Sequence, residues 1–451
     1  MPKRTFMYQD TIAAISTPVG EGGIGIVRLS GEKARSIAER LFTGGLENRR
    51  LVYGHIIDPD GSETVDEVLA SYMAGPHTYT REDIVEINCH AGIVPVRRIL
   101  ELALKNGARL AEPGEFTLRA FLNGRIDLAQ AESVMDIVRA KTQSSLHFAV
   151  EGLAGRLSAQ VRGIRQDLLS VLAYLTARID FPEDEIEGRD PLPPVKEARR
   201  VLQKLIETAD AGMVYRQGIH TAIVGRPNVG KSSLLNLLLR KSRAIVTSVP
   251  GTTRDTLEEV VNLKGVPFVL VDTAGIIESR ELVESLGVER SRNAIENASL
   301  ILMVLDSSEP LNRTDREIMK LSHNKTVLVV ANKCDLPIEA DLSEVPWPIF
   351  YTSALTGEGL ETLEYEMVEA ALGGRASASD GLLVTNARHK DALVRAEHHI
   401  SEAERGLETE LPDDFVTIDL TASLNALGEI TGETVTEDLL NTIFSQFCIG
   451  K

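Results

Sequence analysis

The sequence predicts three kinds of structure in one chain: an N-terminal α+β domain, a helical domain, and an α/β domain inserted into the helical one. Length is the first reason, because 451 residues at roughly 100 to 200 residues per domain suggest about three domains. The second reason is a change of pattern along the chain, from short β-like runs to helical repeats and then to continuous apolar runs. Helical repeats resume behind the apolar runs. We therefore predict domain limits at 1–118, 119–217, 218–375 and 376–451.

The composition indicates a folded chain with an excess of acidic over basic residues. Hydrophobic residues make up 43% of it, which excludes a disordered chain. With 48 Lys plus Arg against 66 Asp plus Glu, the formal net charge is −18. This balance argues against a protein that coats nucleic acid or an anionic membrane through its overall charge. A nucleic acid would have to be held by a partner or by a local patch.

The three cysteines, Cys89, Cys334 and Cys448, are scattered over the chain without CxxC or Cys/His metal spacing. Neither a disulfide framework nor a zinc site is predicted. Lys3 and Arg4 are followed by polar residues before any apolar stretch of signal-peptide length, and the apolar runs elsewhere are too short to span a bilayer. We expect a cytoplasmic protein without membrane contact.

The first two segments differ in the period of their apolar residues. Up to residue 118, β-like runs at 24–29, 67–73 and 84–88 alternate with Gly and Pro, which predicts a compact α+β unit. From residue 119 the spacing becomes helical. Asp127 and Gln130 predict a capping box, and apolar residues follow at intervals of three and four. This segment is predicted to form long amphipathic helices.

The third segment carries strands that are apolar on both faces, at 220–224, 268–271, 300–305, 327–331 and 349–351. Such strands are typical of a parallel sheet covered by helices. A Gly-, Ala- and Ser-rich connection at 373–381 then leads back to the helical pattern.

A phosphate-binding sequence follows the first of these strands. Residues 225–232, GRPNVGKS, fit G-x-x-x-x-G-K-[ST] in a strand-loop-helix context. The glycines let backbone N–H groups wrap phosphate, Lys231 reaches the terminal phosphates, and the Ser232 hydroxyl can ligate Mg²⁺. The predicted phosphate contacts are Asn228, Val229, Gly230, Lys231, Ser232 and Ser233.

Further segments at the carboxyl ends of strands complete a Ras-like P-loop G domain. Residues 272–275, Asp272, Thr273, Ala274 and Gly275, can hold Mg²⁺ through water and sense the γ-phosphate. The switch threonine is Thr252 or Thr253, and we assign Thr253 to Mg²⁺.

The predicted base pocket selects guanine. In the sequence Asn332, Lys333, Cys334, Asp335, the last carboxylate can accept hydrogen bonds from the N1–H and 2-amino groups of guanine, a donor pair that adenine lacks. Ser353 and Ala354 would complete the pocket through a backbone N–H. The substrate should therefore be GTP.

The residue after Gly275 is Ile276, where Ras-type enzymes place a Gln that orients the attacking water. Water must be positioned from elsewhere, and Glu278, Glu281 and Glu284 are the candidates. Charge pattern alone favours a solvated acidic segment without a catalytic role over a catalytic carboxylate.

The assembled pattern resembles the MnmE (TrmE) family of bacterial tRNA-modification GTPases, among the TrmE-Era-EngA-like GTPases. The resemblance covers nearly the whole chain and extends beyond the G domain. It includes residues 17–31 (TPVGEGGIGIVRLSG), 113–116 (PGEF), 120–132 (AFLNGRIDLAQAE) and 447–451 (FCIGK).

The resemblance implies a GTPase that works with the FAD-dependent partner MnmG in a heterotetramer. Together they would add an aminomethyl or carboxymethylaminomethyl group to C5 of the wobble uridine of certain tRNAs. The one-carbon donor would be a 5-formyl- or 5,10-methylene-tetrahydrofolate. The N-terminal domain would bind this folate and form the homodimer, and the matching folate positions are Arg28, Glu86, Arg125 and Lys451.

The resemblance also implies that a potassium ion replaces an arginine finger, offsetting charge in the transition state. Asn228 matches its P-loop ligand, and Thr247, Val249 and Thr252 match the loop positions that contribute oxygens. Glu284 matches the catalytic glutamate. GTP would contact the whole of this loop, namely Thr247, Ser248, Val249, Pro250, Gly251, Thr252 and Thr253.

Cys448 is the cysteine that falls in a family motif. It could be a nucleophile, a one-carbon acceptor, or a structural thiol in the folate cleft. Phe444, Phe447 and Ile449 form an apolar run that predicts an end anchored beside the N-terminal domain.

Two other functions remain open from the residues alone. Regulatory GTPases of ribosome assembly share the P-loop and switch sequences, but they usually carry a basic RNA-binding module. A folate-binding scaffold whose G domain only controls dimer shape is the second alternative.

Overall fold

The computed structural model describes residues 10–18, 20–61, 63–181, 188–242, 258–272, 292, 294–373, 381 and 384–451. The N-terminal part forms a six-stranded sheet in the order β3-β4-β5-β2-β1-β6, with β1 and β6 parallel. Helices α1 and α2 pack on it. The elements are β1 Ile12–Ile15, β2 Gly25–Ser30, α1 Ala34–Leu41, β3 Leu51–Asp58, β4 Glu63–Met73, β5 Ile84–Cys89, α2 Ile93–Lys105 and β6 Arg109–Leu110. The predicted α+β unit is confirmed.

The helical part begins with α3, four residues before the sequence pattern changes at residue 119. Asp127 caps α4: its side chain accepts from the Gln130 N–H, and the Gln130 side chain accepts from the Asp127 N–H. The predicted capping box is therefore confirmed. The helices are α3 Glu115–Leu122, α4 Leu128–Arg139, α5 Gln143–Leu153, α6 Arg156–Asp180, α7 Leu192–Glu207 and α8 Ala209–Gln217.

The inserted part is a second six-stranded sheet in the order β12-β11-β10-β7-β9-β8. All five predicted strands are present and parallel, and the edge strand β8 adds an antiparallel neighbour to β9. The elements are β7 Ile219–Val224, α9 Lys231–Ser242, β8 Glu258–Leu263, β9 Val266–Asp272, β10 Leu300–Asp306, α10 Arg313–Leu321, β11 Thr326–Asn332, β12 Ile349–Tyr351 and α11 Leu360–Leu372.

After the insertion the helical part resumes with α12 Ala387–Glu408, α13 Asp413–Thr431 and α14 Glu437–Phe444. Residues from both sides of the insertion share one core, in which Leu168, Leu202, Leu393 and Leu420 are fully buried. The helical domain is therefore a single packed body interrupted in sequence. This confirms the predicted insertion. The limits of the four residue ranges stay predictions, and the limit at 118/119 falls inside α3.

The inserted domain contacts the helical domain through α5 and the residue before it. Thr142 Oγ1 donates to the Gly265 carbonyl in the β8–β9 turn at 2.9 Å. Within the helical domain, Ser145 Oγ donates at 2.6 Å to the carbonyl of Tyr215 in α8, the helix that leads into the insertion. The rings of Phe148 and Tyr215 lie 5.0 Å apart. Strand β9 thus meets the helical domain at one end and reaches the predicted nucleotide site at the other. Among the described residues, no helix is both long and apolar enough to cross a membrane.

Candidate nucleotide site and C-terminal cleft

The P-loop lies between β7 and α9, as the motif predicts. Lys231 is the first residue of α9, so backbone N–H groups of the loop and first turn lie at a helix N-terminus, where they favour phosphate. Its Nζ donates to the carbonyls of Gly225 and Arg226, at 2.8 Å each. Asn228 has a left-handed backbone, with φ at 67°, and its side chain is exposed. Ser232 and Ser233 are exposed in the first turn.

Asn332 joins three loops of the site. It is buried at 2% exposure; its Nδ2 donates to the Val229 carbonyl of the P-loop at 2.7 Å, and its Oδ1 accepts from the Ala354 N–H at 2.9 Å. Gly230 lies so close that a Cβ there would clash with the Asn332 amide. The P-loop and the base-binding loops are therefore held together by one side chain.

The base pocket contains a charged pair that sequence reasoning did not find. Lys333 Nζ pairs with Asp306, which ends β10 and is 4% exposed. Burial opposes ionisation of Asp306, but hydrogen bonds from Lys333 and Ser308 outweigh it and lower the pKa of this carboxyl. The sequence offered one signal for this pair, because Asp306 is an acidic residue directly after the apolar run 300–305. Asp335 is exposed, so its carboxylate remains accessible to a base.

A second site forms where the end of the chain meets the N-terminal sheet. Arg28 on β2 faces Glu86 on β5 in the strand register, and its Nε donates to Glu86 Oε1 at 2.8 Å. Its Nη1 donates to the Gly450 carbonyl at 3.2 Å, and its guanidinium lies 5.7 Å from the ring centre of Phe116. We call this place the C-terminal cleft, formed by Arg28, Glu86, Phe116 and residues 446–451.

The last residues are held in the cleft by close backbone contacts. Gly450 has φ at 93°, and a Cβ there would clash with the Ile15 carbonyl. Phe444 and Phe447 are buried at 3% and 6% exposure, whereas Ile449 is 52% exposed. The predicted anchoring is confirmed for the two phenylalanines and wrong for Ile449, which lies in the turn closed by the hydrogen bond from the Lys451 N–H to the Cys448 carbonyl.

Lys451 and Cys448 differ in their surroundings. Partial burial lowers the pKa of Lys451, and the positive charge of Arg28 acts in the same direction. Cys448 is exposed. Arg125 lies on the neighbouring turn before α4, where its Nη1 donates to the Tyr79 carbonyl at 3.2 Å and its guanidinium covers the Tyr79 ring at 4.6 Å.

Comparisons with known proteins identify the family. A family profile described as "MnmE helical domain" matches residues 128–448, and one described as "GTP-binding protein TrmE N-terminus" matches residues 11–125. The "tRNA modification GTPase MnmE" of Alkaliphilus oremlandii (strain OhILAs) is 51% identical over 461 residues, covering 99% of this chain and 100% of the relative. That of Roseiflexus castenholzii (strain DSM 13941 / HLO8) is 52% identical over 466 residues, with coverage of 99% and 100%. The chain belongs to the MnmE family of tRNA modification GTPases.

Part of the site predicted for this MnmE-family chain lies outside the described residues. The backbone of Asp272 ends β9 as expected. The other predicted positions in the two switch segments fall outside the described ranges and stay predictions; they are Thr247, Ser248, Val249, Pro250, Gly251, Thr252, Thr253, Thr273, Ala274, Gly275 and Glu284. The structure does bring together the P-loop, Asn332 and Ala354 in one place, and Arg28, Glu86 and the Lys451 segment in another.

Proposed function

We propose that this tRNA modification GTPase acts with the FAD-dependent partner MnmG to add an aminomethyl or carboxymethylaminomethyl group to C5 of the wobble uridine. A tetrahydrofolate would donate the carbon. The observation that carries this proposal is the hydrogen bond from Arg28 to the Gly450 carbonyl. It ties residues 422 positions apart and brings the Cys448 segment to the predicted folate residues.

In the G domain each residue of the proposed site has a separate task. Lys231 and the backbone N–H groups at the start of α9 hold the phosphates of GTP. Asn332 fixes the P-loop against the base-binding loops, and Asp335 accepts the hydrogen bonds that select guanine. The proposed role of Glu284 is to position the attacking water, because Ile276 has no polar atom for this.

We propose two cations, each with one ligand among the described residues. The exposed Ser232 hydroxyl lies in the first turn of α9, where it suits Mg²⁺, with Thr253 as the proposed second ligand. Asn228 offers an amide oxygen on an exposed loop residue, and we propose it for K⁺ together with Thr247, Val249 and Thr252. A bound cation would offset charge that develops on the phosphate oxygens.

The C-terminal cleft suits a folate. Arg28 and Glu86 present donors and a carboxylate from neighbouring strands, and Arg125 and Lys451 are the other proposed contacts. A tetrahydrofolate bound there would supply a carbon at the formyl or methylene level. The exposed Cys448 thiol would lie within the same cleft as that carbon.

A homodimer formed by the N-terminal domain is part of the proposal. Leu51, Tyr53 and Leu69 are 59%, 58% and 39% exposed, and Tyr53 lies opposite Leu69 on neighbouring strands. This apolar face belongs to β3, at the edge of the sheet, and its neighbour β4. A second copy of the chain would remove it from water.

Wobble-uridine analysis of tRNA is the decisive experiment. Deletion of the gene should remove the C5 modification, and the wild-type chain should restore it. The Lys231→Ala variant tests whether GTP is required, and the Arg28→Ala variant tests whether the cleft is required. If the deletion strain instead accumulates precursor ribosomal RNA while its tRNA modification stays intact, the ribosome-assembly alternative is favoured.

Potassium dependence tests the cation assignment. GTP hydrolysis should be stimulated by K⁺ and not by Na⁺, and Asn228→Ala should lose the stimulation while retaining nucleotide binding. Equal turnover in both salts would remove the potassium proposal without affecting the tRNA proposal.

A further inference from the structure

Three arginine side chains gather around the loop between β4 and β5. Arg49 donates from Nη2 to the His77 carbonyl at 2.9 Å, and Arg125 donates from Nη1 to the Tyr79 carbonyl at 3.2 Å. Arg81, in the loop itself, donates from Nη1 to the Asn123 carbonyl at 2.8 Å. All three side chains are exposed. We call Arg49, Arg81 and Arg125 the arginine cluster.

The arginine cluster is held in place by its surroundings. Asn123 Nδ2 donates to the Thr80 carbonyl at 2.7 Å, so the loop and the turn before α4 are bonded in both directions. The Arg49 N–H donates to the Tyr72 carbonyl at 2.7 Å. Arg49 and Arg81 both have left-handed backbones, with φ at 61° and 63°, a conformation that residues with a Cβ rarely adopt and that is enriched at binding sites. The guanidiniums are therefore preorganised.

Among the described residues, no carboxylate pairs with the arginine cluster, whose three guanidiniums donate to backbone carbonyls. The acids that follow Arg81 are engaged elsewhere: Glu82 accepts from Arg119 and Ser30. Asp83 accepts from the Tyr72 hydroxyl. By contrast Arg50, next to Arg49, pairs with Glu47 at 2.7 Å. A guanidinium has five N–H donors, so each arginine of the cluster has donors to spare.

The arginine cluster borders the C-terminal cleft. The Tyr79 ring, beneath Arg125, packs against the apolar group that contains Phe444 and Phe447. It also packs against the group that contains Phe116. The positive charges thus lie outside the cleft but next to the segment that carries Cys448.

We propose that the arginine cluster binds the phosphate backbone of the tRNA substrate and holds the RNA over the C-terminal cleft. The inference rests on the proposed function. Arginine forks match phosphate oxygens in geometry, and in a chain of net charge −18 such contacts have to be local. Backbone contacts position an RNA without reading its sequence. Three guanidiniums spread around the outside of a loop fit a long polyanion better than a single carboxylate.

The test compares two double variants of the full chain in tRNA binding across a range of salt. Arg49→Asn with Arg81→Asn removes two charges of the cluster, and asparagine tolerates the left-handed backbone at both positions. Arg125 is left intact because it is also a proposed folate contact. Arg200→Asn with Arg313→Asn is the matched control, since both of these arginines are exposed and pair with Glu197 and Glu317.

The cluster variant should bind tRNA about tenfold or more weakly. The slope of log Kd against log salt should fall by about 0.7 to 0.9 for each arginine removed. The control variant should match the wild type, and GTP hydrolysis should be unchanged in both. Arg49→Lys with Arg81→Lys keeps both charges, so this variant should keep the wild-type salt slope.

Equal tRNA affinity in the cluster and control variants would overturn the inference, and so would a lysine variant that binds as weakly as the asparagine variant. Unchanged tRNA binding with weaker binding of a tetrahydrofolate that carries several glutamyl units would assign the cluster to the folate tail instead. A wild-type chain that binds no tRNA would contradict the proposed function itself, which distinguishes the two failures.

Discussion

Asn332 and Asp335, in the base-binding motif at residues 332–335, serve the nucleotide site in different ways. Asn332 is buried and cross-links the P-loop to Ala354, so its replacement would disturb loop positions as well as the base. Asp335, three residues further, is exposed. Its carboxylate is therefore the cleaner probe of base recognition.

Asp335→Asn should weaken GTP binding by about 10- to 100-fold, because an amide oxygen replaces a charged acceptor of two hydrogen bonds. A xanthine nucleotide, with a carbonyl in place of the 2-amino group, should then be preferred. Competition against a fluorescent guanine nucleotide measures both effects. Asp341→Asn, an exposed substitution in the same domain, is the control, and a variant that still favours GTP would refute the base-pocket assignment.

The three thiols should differ in reactivity. Burial, and secondarily the negative charge of Asp66, raises the pKa of Cys89 to about 11. Burial also raises the pKa of Cys334. The thiolate is the reactive form, so at pH 8 about one Cys89 in a thousand is reactive, whereas Cys448 is exposed.

Iodoacetamide should modify Cys448 first, and Cys448→Ser should remove the fast phase. The slow reaction at Cys89 should rise about tenfold per pH unit up to its pKa. All three should react in denaturant, and a fast phase that survives Cys448→Ser would contradict this order.

At the scale of elements, the C-terminal segment depends on two glycines. Gly114 precedes α3 with φ at 69°, and a Cβ there would lie 2.6 Å from the Phe444 carbonyl. Gly450 is similarly constrained against Ile15. Side chains at these positions would push the end of the chain away from the N-terminal sheet.

Removal of residues 448–451 should abolish wobble-uridine modification and leave potassium-stimulated GTP hydrolysis nearly intact, because the predicted G-domain contacts end at Ala354. Gly450→Ala should likewise abolish wobble-uridine modification and leave GTP hydrolysis nearly intact, because it displaces the C-terminal segment without deleting it. Gly373→Ala is the matched control: its φ is also positive, at 63°, but nothing lies within 4 Å of its Cβ position.

If Cys448 is a structural thiol, Cys448→Ser will leave modification complete and the truncation will only lower thermal stability. Full modification in cells that carry a normally folded Cys448→Ser protein would exclude chemistry at this thiol.

At the scale of the whole molecule, one buried cluster closes the helical domain around the insertion. Glu132 on α4 accepts from Asn386, Arg388 and His389, at 2.6 to 3.0 Å. Burial opposes the charged carboxylate, but His389 and Arg388 outweigh it and hold the pKa of Glu132 well below its usual range. Residues before and after the G domain are thus joined by one ionised group.

Glu132→Gln should destabilise the helical domain by about 3 kcal/mol, because it leaves the partly buried Arg388 without its carboxylate partner. Urea unfolding followed by circular dichroism measures the free energy of unfolding. The surface substitution Glu197→Gln should change this free energy by less than about 0.5 kcal/mol. Because the pKa of Glu132 is lower in the folded protein, its charge stabilises the fold at every pH above the unfolded pKa. The difference in unfolding free energy between the wild type and the variant should therefore be complete at neutral pH. It should shrink only as the pH falls below about 4.5, the ordinary glutamate value. A loss under about 1 kcal/mol would refute this role.

The sequence alone predicted the features that are local along the chain. The five parallel strands, the capping box at Asp127 and the P-loop before α9 each depend on residues within a few positions of one another, so apolar period and motif spacing reveal them. The insertion was also visible, because two stretches of helical period flank a stretch of buried strands. Strand β8 was not predicted, because EEVVNL is no continuous apolar run and belongs to an edge strand with one antiparallel neighbour.

Only the tertiary structure decided which distant residues meet. The bond from Arg28 to Gly450, the pair of Lys333 with Asp306 and the approach of Arg49 to His77 join residues 422, 27 and 28 positions apart. Single charges at such separations look like ordinary surface residues in a sequence. Their partners are fixed by the packing of sheets and helices, which brings together groups that no local period relates.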